Sequence, residues 1–205
     1  MPAAVAKLLV TDPRNTYANL ETLTGSGVRR APAPEHDRHR RAVAALLFGI
    51  FGERICYGAL SLNEHGLPTY GEIHCRLRDI AVQDRATFLE TNSYRFVREK
   101  DIKPGARIPP GFRAAWDNRG QLALAKLVGS LQRKQTAADW QAILIKPDAR
   151  DRSNDEFIEA HIYESFDINA VEEMVQVVGK RLSRDQRMDA KIALEKFRQA
   201  RGGKP

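Results

Sequence analysis

The sequence has only two cysteines, Cys56 and Cys75. Two thiols cannot build a disulfide scaffold, and without companion ligands they make no structural zinc site. A reducing compartment is the simpler setting. No window of about 18 apolar residues exists, and the longest apolar stretch, 42–51, is too short to span a bilayer. The first ten residues carry one lysine and a short apolar run without a long hydrophobic region, which disfavours a Sec-type leader. Aromatic residues are 7% of the chain, with 14 glycines and 10 prolines, so nothing collagenous or low-complexity follows. Signature motifs are missing as well. There is no G-x-S-x-G elbow, Walker loop or H-E-x-x-H, and no G-x-G-x-x-G after a strand. Hydrolase, kinase, zinc-peptidase and Rossmann readings therefore lack their marks.

What is present suits one compact domain with a terminal appendage. The chain has 205 residues, 42% hydrophobic and 29% charged, enough for a packed core. Net charge is +7, and its placement is uneven. Residues 180–205 hold nine Lys/Arg against Asp185, Asp189 and Glu195, a net +6 that leaves +1 for the other 179 residues. Such a tail could meet nucleic acid or an acidic partner; a solvated helix face with a frayed end is the blander alternative. The expected division is 1–179 as the domain and 180–205 as a basic helical tail.

Along the chain, residues 1–20 are weakly patterned, with Asp12-Pro13 as a turn signal. Residues 24–27 read as a flexible turn and 31–34 as an extended Ala-Pro connector. Val43, Leu46, Leu47 and Ile50 recur at helical spacing within 35–51, a helix frayed at Gly49 and Gly52. Residues 54–62 read as a strand, 63–66 as a hairpin-like turn, and 69–78 as an alternating strand. Another short strand spans 86–89 and ends near Thr91-Asn92-Ser93; 100–111 is a loop. A helix is expected over 121–135, with Leu122, Ala125, Leu127, Val128 and Leu131 as its apolar stripe. Strands are expected over 140–146 and 157–163, with a charged polar loop at 147–155 between them. Residues 171–200 read as mostly helical, with Gly179 and Ser183 as possible interruptions. The class is α+β.

The histidines are His36, His39, His65, His74 and His161. His36 and His39 could share a metal on a helix start, but no third ligand lies within motif spacing, so no metal is expected. Cys75 and neighbouring His74 point to opposite faces of a strand and make no obvious dyad. What remains is a set of three separated elements. Arg54 begins a strand; Arg85-Ala86-Thr87-Phe88-Leu89 leads to the polar cluster 91–93; Glu159 follows the loop 148–155. Alternation puts Phe157, Glu159, His161 and Tyr163 on one face and Ile158, Ala160 and Ile162 on the other. A carboxylate among aromatic rings is placed like a cleft residue; an ordinary solvent-facing glutamate is the open alternative.

Three blocks carry a resemblance: Tyr57-Gly58-Ala59-Leu60-Ser61-Leu62, Asp84-Arg85-Ala86-Thr87-Phe88 with Asn92-Ser93, and Asp155-Glu156-Phe157-Ile158-Glu159-Ala160-His161-Ile162. In this order they resemble a bacterial family of toxin-associated domains of unknown function, itself similar to the ADP-ribosyltransferase superfamily. The resemblance covers roughly half of the chain and leaves out 180–205. It implies a split antiparallel β core with an N-terminal helix and C-terminal basic helices. It also implies a catalytic Arg, Ser/Thr and Glu on successive strands, here Arg54, Thr87 (or Ser93) and Glu159. NAD would be the co-substrate, contacted by Arg54, Tyr57, Gly58, Thr87, Phe88, Ser93 and Tyr163. Two departures stand out. Phe157 replaces the first glutamate of the Glu-x-Glu pair found in arginine-modifying members, and the Ser-Thr-Ser triplet is reduced to Ala86-Thr87-Phe88.

Cleaving the nicotinamide–ribose bond passes through an oxocarbenium-like state, which a fixed carboxylate stabilises. The implied protein is a toxin or effector, held in the bacterial cytoplasm until a specialised secretion system delivers it into a target-cell cytoplasm. Its partners would be a macromolecular target and an immunity or chaperone protein, with no membrane. A nucleic-acid-binding or -modifying protein using the basic tail, and a catalytically inactive interaction module, are the rivals.

Overall fold

The computed structural model describes residues 1–18, 34–63, 65–148, 150–177 and 181–202. The expected turn at 24–27, most of the connector at 31–34, Glu64 of the expected hairpin turn, Gly179 and the side chain of His36 lie outside the described residues. In chain order the elements begin with α1 (Ala3–Thr11), β1 (Thr16–Tyr17) and α2 (Pro34–Phe48). A 3-10 segment, Gly49–Arg54, leads into β2 (Ile55–Ala59), followed by β3 (Ile73–Leu77), α3 (Asp79–Val82), β4 (Ala86–Leu89) and α4 (Ser93–Glu99). Then come β5 (Arg113–Ala115), α5 (Arg119–Val128), α6 (Ala137–Leu144), β6 (Ile145–Lys146) and β7 (Glu156–Phe157). The chain closes with β8 (Glu159–Tyr163), β9 (Phe166–Asp167), β10 (Val171–Gln176) and α7 (Arg184–Ala200). This is an α+β protein whose strands pair antiparallel. Among the described residues no helix is long and apolar enough to cross a membrane.

The chain divides into two compact units, and the division does not follow the expected border at residue 179. One unit combines residues 1–17, 64–82 and 166–205. Its α1 buries Ala3, Val5, Ala6 and Leu9, and its α7 buries Ala190, Ala193 and Phe197. Alanines on both helices permit close approach, and Lys7 pairs with Asp189 between them. The basic segment is therefore a packed helix of this unit and not an appended tail. Two of its cations are committed internally: Arg187 donates to the Leu182 carbonyl and Arg201 to that of Val171. Buried Glu72 accepts from the Ala3 N–H at 2.9 Å and from Gln186 Nε2 at 3.1 Å, placing negative charge at the N-terminus of α1.

In the same unit β3 pairs with β10, with a register shift between Val171 and Glu173. This corrects the helix expected from residue 171. The extra residue puts buried Val171 and Met174, three apart, on the same face, a spacing that imitates a helical turn. The helix begins only at Arg184, where Ser183 and Gln186 form a reciprocal capping box.

The other unit, residues 18–63 and 83–165, is built on a four-stranded antiparallel sheet in the order β2-β8-β4-β5. The hairpin expected across 63–66 is not formed, because β2 pairs with β8 while β3 pairs with β10. Residues 140–146, expected as a strand, are mostly α6. The Thr136/Asp139 capping box starts that helix and overrides the β-propensity of its Trp and Ile residues. The helix expected to reach 135 stops at Val128, where Gly129 and Ser130 follow and Gln135 turns back to donate to the Ser130 carbonyl. A core of Leu89, Phe96 and Ile102 sits on one sheet face, with Leu47, Ile108 and Phe112 against it.

Candidate functional site

The register of the second unit's sheet decides which side chains meet. Tyr57, His161, Thr87 and Ala115 are cross-strand neighbours, as are Ala59, Glu159, Leu89 and Arg113. Since side chains alternate along each strand, these eight positions share one sheet face. Glu159 and His161 share a face, as the alternation of β8 implied, and Thr87 joins them from β4.

Glu159 is 7% exposed, and its Oε2 accepts from the Ser93 backbone N–H at 2.6 Å. The same oxygen lies 3.3 Å from His161 Nε2. Burial pushes the Glu159 carboxyl up. The His161 hydrogen bond and charge, together with the Ser93 contacts, outweigh burial and hold it below its ordinary range. An ionised carboxylate only accepts, so Nε2 is the donor of that contact. The imidazole lies edge-on to Phe48, at 4.7 Å between ring centres, and to Tyr57, at 5.6 Å. Its Nδ1 is shielded and makes no hydrogen bond within the described chain; neither does the Thr91 hydroxyl.

The junction at 91–93, expected only as a polar strand end, is the N-terminus of α4. Asn92 Oδ1 accepts from the N–H groups of Tyr94 and Arg95 as its cap. The other end of that amide donates to the carbonyls of Arg152 and Asp155. The loop before Glu159 is thereby tied to the start of α4. Fully buried Asp155 accepts the Asp148 N–H at 2.6 Å and closes the loop on itself.

The remaining expected contacts disperse. Ile55 opposes Tyr163 whereas Ala59 opposes Glu159, so Arg54 stands at the far end of β8. It pairs there with Glu164, lies over the Tyr163 ring at 4.8 Å, and is separated from Glu159 by ~16 Å of strand. Arg54 and Glu159 therefore share no crevice; His161 and Phe48 fill the sheet face near Glu159. Tyr163 packs edge-on against Phe51 at that same far end. Phe88 and Gly58 both face Ala160, on the opposite side of the sheet from Glu159. Phe88 is buried there against Trp116 and cannot stack on a ligand beside Glu159. Glu156, out of phase with Glu159, is engaged by Lys126 at 3.1 Å and Arg95 at 3.4 Å.

Two functional candidates escaped the sequence reading. His161 was visible on the Glu159 face but carried no role. Arg113 gave no local signal, since only long-range pairing with Leu89 brings it to this face. It lines a groove of about 560 Å³ with Thr87, Leu46, Leu47, Arg107 and Ile108. No group of three or more potential metal ligands gathers among the described residues. Burial pushes the Cys56 thiol up to about 12, which leaves it no thiolate character at neutral pH. No protein-family model, curated protein or solved structure matches this chain.

Proposed function

We propose that the chain is an NAD-dependent ADP-ribosyltransferase, with the unit built on β2-β8-β4-β5 as an ADP-ribosyltransferase-like catalytic core. One observation carries the reading. The three sequence blocks, which resemble a toxin-associated family itself similar to that superfamily, lie on neighbouring strands, and the Glu159 carboxylate meets the Ser93 amide between two of them.

On this reading Glu159, ionised and fixed, stabilises the positive charge that grows on the ribose as neutral nicotinamide departs. His161 and the Ser93 N–H are positioning groups that hold the carboxylate. Thr87, beside His161 and on the groove wall, supplies a hydroxyl toward substrate. Arg54 has no part, being ion-paired at the far end of β8. The ADP-ribose passes to a macromolecular acceptor, as in a bacterial toxin or effector delivered to a target cell. The nucleic-acid alternative would rest on the basic segment, whose helix packs through Ala190, Ala193 and Phe197 and keeps Arg184, Lys191, Lys196 and Arg198 exposed.

A second reading, a catalytically inactive interaction module, has one observation in its favour: Glu159 is only 7% exposed and both of its partners are internal. Nicotinamide release from NAD separates the two. Turnover by the native chain that is lost in Glu159→Gln supports the transferase. NAD binding without release supports the inactive module.

A further inference from the structure

Helix α2 packs on the sheet face that carries Glu159. Its Phe48 meets the His161 ring, and its Leu47 joins the core of Leu89, Phe96 and Ile102, which brings α2 against α4. The apolar positions of α2 from Val43 onward serve this packing. The turn before them does not: Arg38, His39, Arg40 and Arg41 follow one another and all are exposed.

Two of these residues meet tyrosine rings. The Arg40 guanidinium stands over Tyr57, 5.0 Å from the ring centre, and the His39 ring lies 6.1 Å from that of Tyr94. From α4, exposed Arg98 stands over the same Tyr94 ring at 5.8 Å. Neither Arg40 nor Arg98 pairs with a carboxylate among the described residues. A guanidinium laid over a ring is oriented without spending its N–H groups, which remain for phosphate oxygens. Both tyrosines are half-buried, so their rings are supported from behind.

Charge alone does not account for this surface. Residues 34–48 hold three arginines against Glu35 and Asp37, a net of only +1 with histidines neutral. A plain polyanion, such as an acidic peptide or an anionic bilayer, gains little from that. A ligand that adds planar rings to its phosphates gains more, because bases stack on tyrosines and on guanidinium planes. In a duplex those base faces are already covered by their neighbours; a single strand leaves them open.

We infer that the surface formed by Arg40 and His39 of α2, Tyr57 of β2, and Tyr94 and Arg98 of α4 binds single-stranded nucleic acid. The inference goes beyond the transferase reading and does not need it, because it stands on binding and not on turnover. It is also independent of the basic helix α7, which belongs to the other unit.

The test is fluorescence anisotropy of the full chain with a labelled oligo-deoxythymidine strand. The comparisons are its duplex with oligo-deoxyadenosine, an abasic strand of equal length, a polyglutamate peptide and, by co-sedimentation, phosphatidylserine vesicles. The strand should bind, less tightly as salt rises, and each comparison ligand should bind at least about tenfold more weakly. Arg40→Gln combined with Arg98→Gln should weaken strand binding about tenfold and flatten its salt dependence. Tyr94→Leu should weaken it about tenfold, while Tyr94→Phe, which keeps the ring, should match the native chain. Lys196→Gln combined with Arg198→Gln removes the same charge from α7 and should leave binding within about twofold. Melting curves establish that each variant is folded. Arg40 and Arg98 are exposed, so their double substitution decides the matter if Tyr94→Leu unfolds. Absence of strand binding at low salt would overturn the inference. So would any comparison ligand binding as tightly as the strand, or undiminished binding by the Arg40/Arg98 variant. A loss in the Lys196/Arg198 variant equal to that in the Arg40/Arg98 variant would overturn it as well. Failure of NAD turnover would leave these readings unchanged and would count only against the transferase.

Discussion

The Glu159 carboxylate accepts the backbone N–H of Ser93 across a separation of 66 residues, joining the first residue of β8 to the first residue of α4. Both groups are buried, so neither can turn to water. Glu159→Ala would leave the Ser93 N–H and His161 Nε2 without an acceptor, a loss on the order of 3 kcal/mol. Glu159→Gln keeps an oxygen for Ser93 and should lose about 1 kcal/mol. Urea unfolding of the three proteins should rank them native, Gln, Ala. An alanine variant as stable as the native chain would show that the bond is not formed in solution.

The same carboxylate predicts a pH dependence. Its folded-state pKa lies below the ordinary value of 4.5, so the stability it contributes is complete above that value. As pH falls through the lower folded value, the carboxylate protonates and the contribution is lost. The melting-temperature advantage of the native chain over Glu159→Gln should be constant near neutrality and shrink on acidification below pH 4.5. An advantage that grew on acidification would have the wrong sign.

Arg54 and Glu164 form an ion pair with about half of each side chain exposed. Such pairs contribute ~0.2–1 kcal/mol and are screened by salt. Arg54→Ala should change stability by less than about 1 kcal/mol, with a smaller effect at high ionic strength. It should also leave any NAD turnover within a few-fold of native. A collapse of turnover with folding intact would restore Arg54 to the catalytic set.

Asn92 caps α4 and bridges to the loop before Glu159. Asn92→Ala removes both functions and should cost about 2 kcal/mol. Asn92→Asp keeps the cap but loses the donor toward Arg152 and Asp155, and should fall between. Amide hydrogen exchange should show the first turn of α4 and residues 150–155 exposed together in Asn92→Ala.

Strand β4 was legible as a short strand at 86–89, and the shared face of Glu159 and His161 was legible because it rests on strict alternation along β8, a local property. The break at Ile158 was not, since it is a change of partner, β7 pairing with β6 and β8 with β2 and β4; nor was the bulge in β10, since it shifts the period on which the reading depends. Caps were present in the letters but unused: Thr136 with Asp139, Ser183 with Gln186, and Asn92 each mark a helix start that β-propensity or polarity obscured. Arg113 could not be found locally. Only the long-range pairing of β5 with β4 puts it on the face that carries Glu159. Arg54 was assigned by order along the chain, and order does not fix which end of β8 a residue meets.

The central claim is tested most directly by nicotinamide release from NAD, measured for the native chain, Glu159→Gln and Arg54→Ala, each shown to be folded. The account predicts release by the native chain and by Arg54→Ala, and a loss of at least a hundredfold in Glu159→Gln, comparable to removing about 2.7 kcal/mol of transition-state stabilisation. Equal release by the native chain and Glu159→Gln would contradict it.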